Sequence, residues 1–530
     1  MSLFLQLKHD YAHNRLSFLL STLALLTSII AILSVRFLPM QDYPDWLVQA
    51  NLIAAAWRGD HLALGGNYTS VFPLVVPNVF ATYLIAGLSL LVGIEFAGKM
   101  FLSLYVMTLS VGVYRLLCLS SPFEPFRWIG VPLSFSYFFY IGLLNYLSGM
   151  MLLPFAMVTA QRSSDKLRTK DVAAIFSWSI VLYTCHASIF LFFLLFVVLV
   201  ISSSKADDSR SMNVMLVAAI LPSALLFGYY MLAPTTQTEL LMYVEFRTKL
   251  LAILFPLMVT HRLVGMEASL PYSAINISLL TLFAFCLWRG IREGKISHRP
   301  YYLTSIVILL VIVISPVLSI NRLYNPEVRG IYPAFLLLLL SLSFVRPIRW
   351  IENVISYTAV LVAILHFTQF KLFDDTASKL HAAFKEYYQT SKSPLVICAG
   401  YTEEVDRSTM HRISGNVRPF MRLHYYEHLE GKQATFLPIF QTGTYRWKHN
   451  TAVARAAWAE ELALSNYSRS KAMDNLTRNN KLVAAAFDRI FIVGKPETQF
   501  AFTQALEAYY TPLVQISLVS ILEVESKSRN

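Results

Sequence analysis

Apolar runs recur along the first two-thirds of this chain, each close to the roughly 20 residues that a helix needs to cross a bilayer's hydrocarbon core. Clear runs occupy residues 16–39, 72–94, 98–119, 212–233, 272–290, 301–320, 330–345 and 350–369. Of the 530 residues, 56% are hydrophobic and only 14% are charged, against about 25% charged in an ordinary soluble domain. A chain this apolar cannot cover its own surface in water, so lipid is its natural solvent. The formal net charge of +12 would point to nucleic acid in a soluble protein. Here the Lys and Arg of cytoplasmic loops account for it, and nucleic acid is not an expected partner.

Two longer apolar regions are interrupted. Residues 128–160 contain Asn145, Gly149 and Pro154, and residues 171–203 contain Thr184, Cys185, His186 and Ser188. Each reads either as one tilted span or as two short helices meeting inside the protein. Non-helical backbone is tolerated at that depth only where protein or a water-filled cavity surrounds it. The first run follows Lys8, His9, His13 and Arg15 and is too long for a signal-peptide core, so it reads as a retained first span.

Charge gives the spans a direction. Arg162, Lys166, Arg168 and Lys170 crowd one short loop, Arg289, Arg292, Lys295 and Arg299 another, and Arg346 and Arg349 mark a third. Such loops face the cytoplasm. Counting crossings from them gives ten or eleven spans and a cytoplasmic N-terminus, with Glu95 and Lys99 on a cytoplasmic turn after the second span. Loop 41–71, segment 233–271, turn 321–330 and the C-terminal part then lie outside.

The expected organisation is a polytopic α-helical membrane domain over residues 1–370, followed by a small external α/β domain over 371–530. In the latter, 393–399 and 487–493 read as buried strands, 451–464 and 496–509 as helices, and 513–524 as one or two strands. Cys118, Cys185 and Cys286 lie in apolar runs and only Cys398 lies in the soluble part, so no disulfide is expected within that domain.

The sharpest local feature is the string MQDYPDWLVQA at residues 40–50. Pro44 is suited to a helix's first turn, and Asp42 and Asp45 complement the helix dipole there. Apolar spacing through Trp46, Leu47, Ile53, Ala54 and Trp57 predicts an interfacial amphipathic helix. Its acidic start is either plain capping or a carboxylate held at the bilayer edge. There it would act as general base toward a hydroxyl or, if the chemistry uses one, ligate a divalent cation. Arg322 and Arg329 flank an external turn. Arg grips phosphate through paired hydrogen bonds, though an interfacial Arg also snorkels to lipid headgroups. Arg329 is the better placed, just ahead of the next span. His186 lies at membrane depth, where an ionisable group needs a partner or a cavity. His61 is a lone histidine near the end of the first loop. Segment 233–271 reads as a second interfacial helix, and 418–428 and 442–449 mix aromatics with cations.

This layout resembles the GT-C superfamily of membrane glycosyltransferases, in particular its bacterial members. The similarity lies in a long first external loop with an acidic motif, broken mid-chain spans and an external C-terminal domain. Shorter echoes are Asn145 to Gly149 (NYLSG), the His186 region, and the stretch from Asn321 to Pro333 (NRLYNPEVRGIYP). The DExH-like string of protein O-mannosyltransferases and the WWD-type motif of oligosaccharyltransferases are missing, which leaves the substrate class open. The resemblance implies a polyprenyl-phosphate-linked sugar donor and a glycan, lipid or protein acceptor at the outer face of a bacterial cytoplasmic membrane. It implies Asp42, then Asp45, as catalytic carboxylates, and Arg329 and Arg322 as grips on the donor phosphate. His61 and His186 would be substrate contacts, and Asp42 the ligand of a divalent cation if one is used. A polysaccharide or lipid transporter would instead concentrate ionisable groups at mid-membrane. A non-catalytic envelope-assembly protein would need no poised carboxylate, and an O-antigen-type polymerase or ligase would carry its main loop late in the chain.

Overall fold

In the computed structural model, the described residues are 3–59, 68–71, 77–120, 124–163, 168–203, parts of 213–228, 266–292, 299–314, 319–320, 323–324, 329–342, 348–391, 394–397, 426, 446–449, 469–493, 496–516 and 519–524. Helix α1 (Leu3–His13) turns into α2 (Arg15–Leu33) at Asn14, whose side-chain oxygen caps the new helix by accepting from Ser17 N at 3.2 Å. The buried stripe of α2 is Ser17, Ser21, Ala24, Ser28, Ala31 and Ile32. Small side chains let another backbone come close, and α14 (Arg349–Thr390) fills that groove.

The two helices run in the same direction. Ser17 and Ser21 meet Ser356 at 2.7 and 2.9 Å, Ser34 O accepts from Lys371 Nζ at 2.8 Å, and Arg36 N and Phe37 N donate to Asp374 at 2.9 and 2.8 Å. Contacts that climb together on both chains define two ends of the bundle: one carries α1, and the far end carries Arg36 and Asp374. With 42 residues, α14 is about 63 Å long at 1.5 Å per residue, twice a bilayer core of about 30 Å. It passes as unbroken helix through the boundary expected at residue 370. Lys371 and Asp374 do not open a linker there, because they close off the end of α2.

Helix α3 (Tyr43–Trp57), β1 (Tyr68–Val71) and α4 (Phe80–Ser89) follow, then α5 (Ile94–Ser120). At ten residues, α4 spans only about 15 Å and does not cross. The start of α5 sits at the far end, with Arg36 Nη2 3.5 Å from Glu95 Oε1 and Gly98 against Tyr43 and Leu47. Glu95 and Lys99, expected on a turn at the same end as α1, therefore lie at the opposite end, because the crossing expected before them is not made. Run 72–94 is apolar enough to span, but its helix ends at Ser89, before Gly93. Helix α5 returns to the α1 end. The next crossing is α6 (Gly130–Leu133) and α7 (Tyr137–Ile141), running from Gly130 beside Ser110 to Gly142 beside Asp42. Helix α8 (Leu144–Ser163) then runs back. Region 128–160 thus holds two passes, and of its two readings the one with short helices meeting inside the protein is the nearer. The two departures cancel, so α8 runs toward the α1 end as expected.

Helices α9 (Thr169–Cys185) and α10 (Ala187–Ser203) meet at His186, where the backbone is extended with φ −166° and ψ 130°. Region 171–203 is therefore the two-helix alternative. The described residues of 213–228 are helical. Then come α11 (Met266–Arg292), α12 (Arg299–Ile314), an antiparallel pair β2 (Ser319–Ile320) and β3 (Leu323–Tyr324), and α13 (Ile331–Ser341). Segment 233–265 lies outside the described residues, as do 418–425 and 451–464. Among the described residues, three helices are long and apolar enough to cross a membrane singly: Arg15–Leu33, Ile94–Leu119 and Arg349–Thr390.

Beyond the bundle, β4 (Pro394–Ile397), α15 (Arg469–Ala486), β6 (Arg489–Val493), α16 (Pro496–Leu506), β7 (Tyr510–Ile516) and β8 (Val519–Val524) form an α/β unit. Sheet order is β4-β6-β8-β7, with β4 parallel to β6 and the remaining pairs antiparallel. Its core packs Leu476, Val483, Phe487, Ile490 and Phe502. The top of α14 holds it, with Arg489 Nη1 donating to Tyr387 O at 2.8 Å and Tyr388 against Phe491. A further strand, β5 (Arg446–His449), pairs antiparallel with β1, matching Tyr68 to His449 and Val71 to Arg446. The first loop and the C-terminal part are thereby joined at the far end.

Candidate functional site

Asp42 is placed by its backbone. Gln41 N donates to Tyr140 O at 2.9 Å and Asp42 N to Ile141 O at 2.8 Å. The next residue, Gly142, has φ +83°, and a Cβ there would lie 2.8 Å from Tyr43 N and 3.1 Å from Asp42 N. Glycine is required both by that left-handed backbone and by the close approach. Asp42 occupies the cap position of α3, but its carboxylate makes no capping hydrogen bond. Gln41 Nε2 approaches Asp42 Oδ1 at 3.4 Å. Asp45 is fully buried and accepts from Gln49 Nε2 at 2.8 Å, an i,i+4 pair within α3.

Helix α3 is not the amphipathic surface helix its spacing predicts. Every residue from Tyr43 to Ala50 is buried, and so are Leu52 to Ala55. Ala50, Ala54 and Ala55, with Gly98 on α5, leave room for the helix to sink into the bundle. The plain-capping reading of Asp42 therefore loses both its surface setting and its hydrogen bond.

Three features far apart in the sequence meet around Arg329. Arg329 Nη1 donates to His186 Nε2 at 2.7 Å, and the Arg329 guanidinium carbon stands 6.0 Å from the Tyr146 ring centre. Tyr146 Oη donates to Arg329 O at 2.6 Å, and the Tyr146 and His186 rings meet edge-on at 5.3 Å. Guanidinium has no lone pair to offer, so Nε2 of His186 is the acceptor. Its other ring nitrogen, Nδ1, lies 2.8 Å from Ser188 Oγ and 3.2 Å from Ser188 N. The imidazole is neutral and orients the arginine. Of the neighbouring motif residues, Asn145 accepts from Ala81 N at 2.9 Å and so fixes the start of α4. Gly149 lets α8 approach Ile189, which a Cβ would meet at 2.9 Å. Both are packing roles.

The α7–α8 connection links the two groups. Residues 140–142 hold the Asp42 backbone, and Tyr146, four residues after Gly142, holds Arg329. Phe138 on α7 packs on Tyr146 at 4.4 Å. Arg322 and His61 lie outside the described residues.

No family model matches this chain, and no curated protein matches it in sequence. Its fold is matched by the crystal structure of ArnT from Cupriavidus metallidurans bound to undecaprenyl phosphate. That match has a TM-score of 0.51 and 10% identity, and it covers 97% of this chain and 98% of the other. The chain shares the fold of that structure. It is an integral membrane protein, and the fold expected from its layout is the one observed.

Within this bundle, no three His, Cys, Asp or Glu side chains among the described residues are grouped to hold a metal ion. Asp42 and Asp45 supply two carboxylates, one of them already bonded to Gln49. The bundle also holds a pair that the sequence reading passed over. Tyr140 Oη is hydrogen-bonded to His366 Nδ1, and His366 on α14 is fully buried. The signal was available, since a histidine inside an apolar span needs a partner.

Proposed function

We propose that the chain is a membrane glycosyltransferase that moves a sugar from a polyprenyl-phosphate-linked donor to an acceptor hydroxyl outside the membrane. The observation that carries this reading is the end-to-end likeness in fold to a protein crystallised with undecaprenyl phosphate. The far end of the bundle would face outward. In support, Arg289 and Arg292 close α11 at the α1 end, where Phe285 meets Trp350 at the foot of α14, and Arg162 closes α8, which runs toward that end; the positive-inside rule assigns such an end to the cytoplasm. The setting would be a bacterial cytoplasmic membrane, with the α/β unit beyond residue 390 on its outer face.

In this mechanism Asp42 takes the proton of the acceptor hydroxyl as general base. The acceptor oxygen attacks the anomeric carbon as the bond to the donor phosphate breaks, so configuration inverts. Arg329, held by His186 and Tyr146, receives the negative charge that gathers on the departing phosphate. Arg322 serves as a second cation beside it, and His61 contacts the acceptor from the first loop. Asp45 supports the start of α3 through Gln49.

The test is Asp42→Ala in full-length protein in native membranes, assayed with radiolabelled lipid-linked sugars. Transfer should drop by about 10² to 10⁴, the usual contribution of a general base, with the folded yield unchanged. Full transfer by the variant would remove Asp42 from the mechanism.

A further inference from the structure

Resting on that reading of Asp42, we propose that His366 is a positioning residue that fixes Asp42 through Tyr140. His366 lies in the middle of a spanning helix, fully buried, with its ring stacked on Phe135 at 4.3 Å. An imidazole at that depth is unfavourable unless a partner satisfies it. Its partner is the Tyr140 hydroxyl, also buried, on the last turn of α7. Tyr140 is the residue whose carbonyl accepts from Gln41 N, and its neighbour Ile141 accepts from Asp42 N. The side chain of Tyr140 is thus tied to α14 while its main chain carries the segment that presents Asp42.

Helix α14 grips the same segment at two further points. Lys371 Nζ donates to Ser34 O at 2.8 Å, and Asp374 accepts from Arg36 N and Phe37 N. Residues 34–37 are thereby held directly and residues 41–42 through Tyr140. Gly142 closes the remaining side, because its missing Cβ is the space into which Asp42 N and Tyr43 N fit. A segment with no regular structure between α2 and α3 is fixed along its length by one straight helix. In a catalytic site, ångström-scale misplacement of a base lowers the rate far more than it lowers affinity. His366 touches no reacting group in this scheme and acts only by fixing geometry.

The measurement is amide hydrogen exchange of the full-length protein in detergent, read on peptides covering residues 39–44. Variants are His366→Phe, Tyr140→Phe, the double variant, and His366→Asn. Asparagine places an amide atom at the same remove from Cβ as Nδ1 and can bond the tyrosine. Exchange at 41 and 42 should rise at least tenfold in His366→Phe and in Tyr140→Phe, and no further in the double variant. It should return to the wild-type rate in His366→Asn, while α2 and α5 stay protected throughout. Unchanged exchange in a folded His366→Phe protein, or additive effects in the double variant, overturns the proposal. Should His366→Phe fail to fold, Tyr140→Phe removes a single oxygen and decides the question alone. Where transfer is measured alongside, kcat should fall in parallel with the loss of protection while the donor KM holds, and a KM effect alone also overturns it. Because exchange is read without substrate, failure of Asp42 as the base would appear only in the Asp42→Ala assay.

Discussion

Two buried arginines stand at opposite ends of the bundle, and they are held in opposite ways. Arg127, at the α1 end, donates to Asp10 at 2.6 Å and to Glu352 at 2.8 Å, and only 2% of its surface is exposed. Asn14 adds a bond to Glu352 at 2.9 Å. The cluster therefore ties α1, the α5–α6 connection and the foot of α14 together. Arg329, at the far end, is met by the neutral imidazole of His186 and the face of Tyr146. Two carboxylates cancel a guanidinium and turn it into a lock. A ring face and a neutral imidazole orient the Arg329 guanidinium. Both arginines are buried, so burial alone does not separate a fastening from a site. Among the described partners, carboxylates surround Arg127 and neutral rings surround Arg329.

The largest effect should come from breaking the lock. Arg127→Ala leaves Asp10 and Glu352 buried without their cation, and removing one partner of a buried ion pair typically costs about 3–5 kcal/mol. A strongly lowered Tm in detergent is expected, with transfer per folded molecule unchanged. Arg329→Ala should do the reverse. A hydrogen bond to a charged group is worth about 1.5–3 kcal/mol, so the donor KM should rise about ten- to a hundred-fold. The Tm should barely move, because Tyr146 bonds to the main-chain oxygen of residue 329, which the substitution keeps. If instead Arg329→Ala melts early and binds donor normally, the two arginines are both fastenings and the contrast fails.

The contrast also marks what was legible in the sequence. Residue type and position pointed to Asp42, His186 and Arg329 separately, because each is a polar group at or near the apolar core. Their grouping was not readable, since it depends on α8 bringing Tyr146 to Arg329 and on α9 breaking at His186. The α1-end cluster was not singled out, because Asp10, Arg127 and Glu352 sit at span boundaries where charged residues are ordinary. Hydropathy predicted crossings well where helices are long. It erred at 72–94, where apolar sequence continues past the end of a ten-residue helix, and at 128–142, where short helices α6 and α7 cross together. The strands of the α/β unit were visible as short β-branched runs. Helix α15 was not, since its stretch NLTRNN carries little apolar periodicity.

The smallest expected effect belongs to Glu124, and it sharpens the comparison by giving the α1 end a pH dependence. Glu124 is completely buried beside Arg127, in the connection between α5 and α6, and accepts from Phe126 N at 3.2 Å. Burial raises its pKa from an ordinary 4.5 to about 8, with a smaller push from Glu352 and partial relief from the Phe126 amide and Arg127. A carboxyl whose folded pKa is raised favours the fold in its protonated form. Its contribution is therefore complete below pH 4.5 and is lost as pH rises through 8. Between pH 6 and pH 8 the unfolded chain is already ionised at this position, so the loss falls on the folded state and amounts to about 2 kcal/mol. Melting curves of the wild type in detergent should show Tm falling across that window. Glu124→Gln keeps the shape and the acceptor for Phe126 N while removing the proton, and should flatten the slope. An equally steep fall in the Gln variant would move the titration to another group at the α1 end and leave Glu124 as an ordinary buried acceptor.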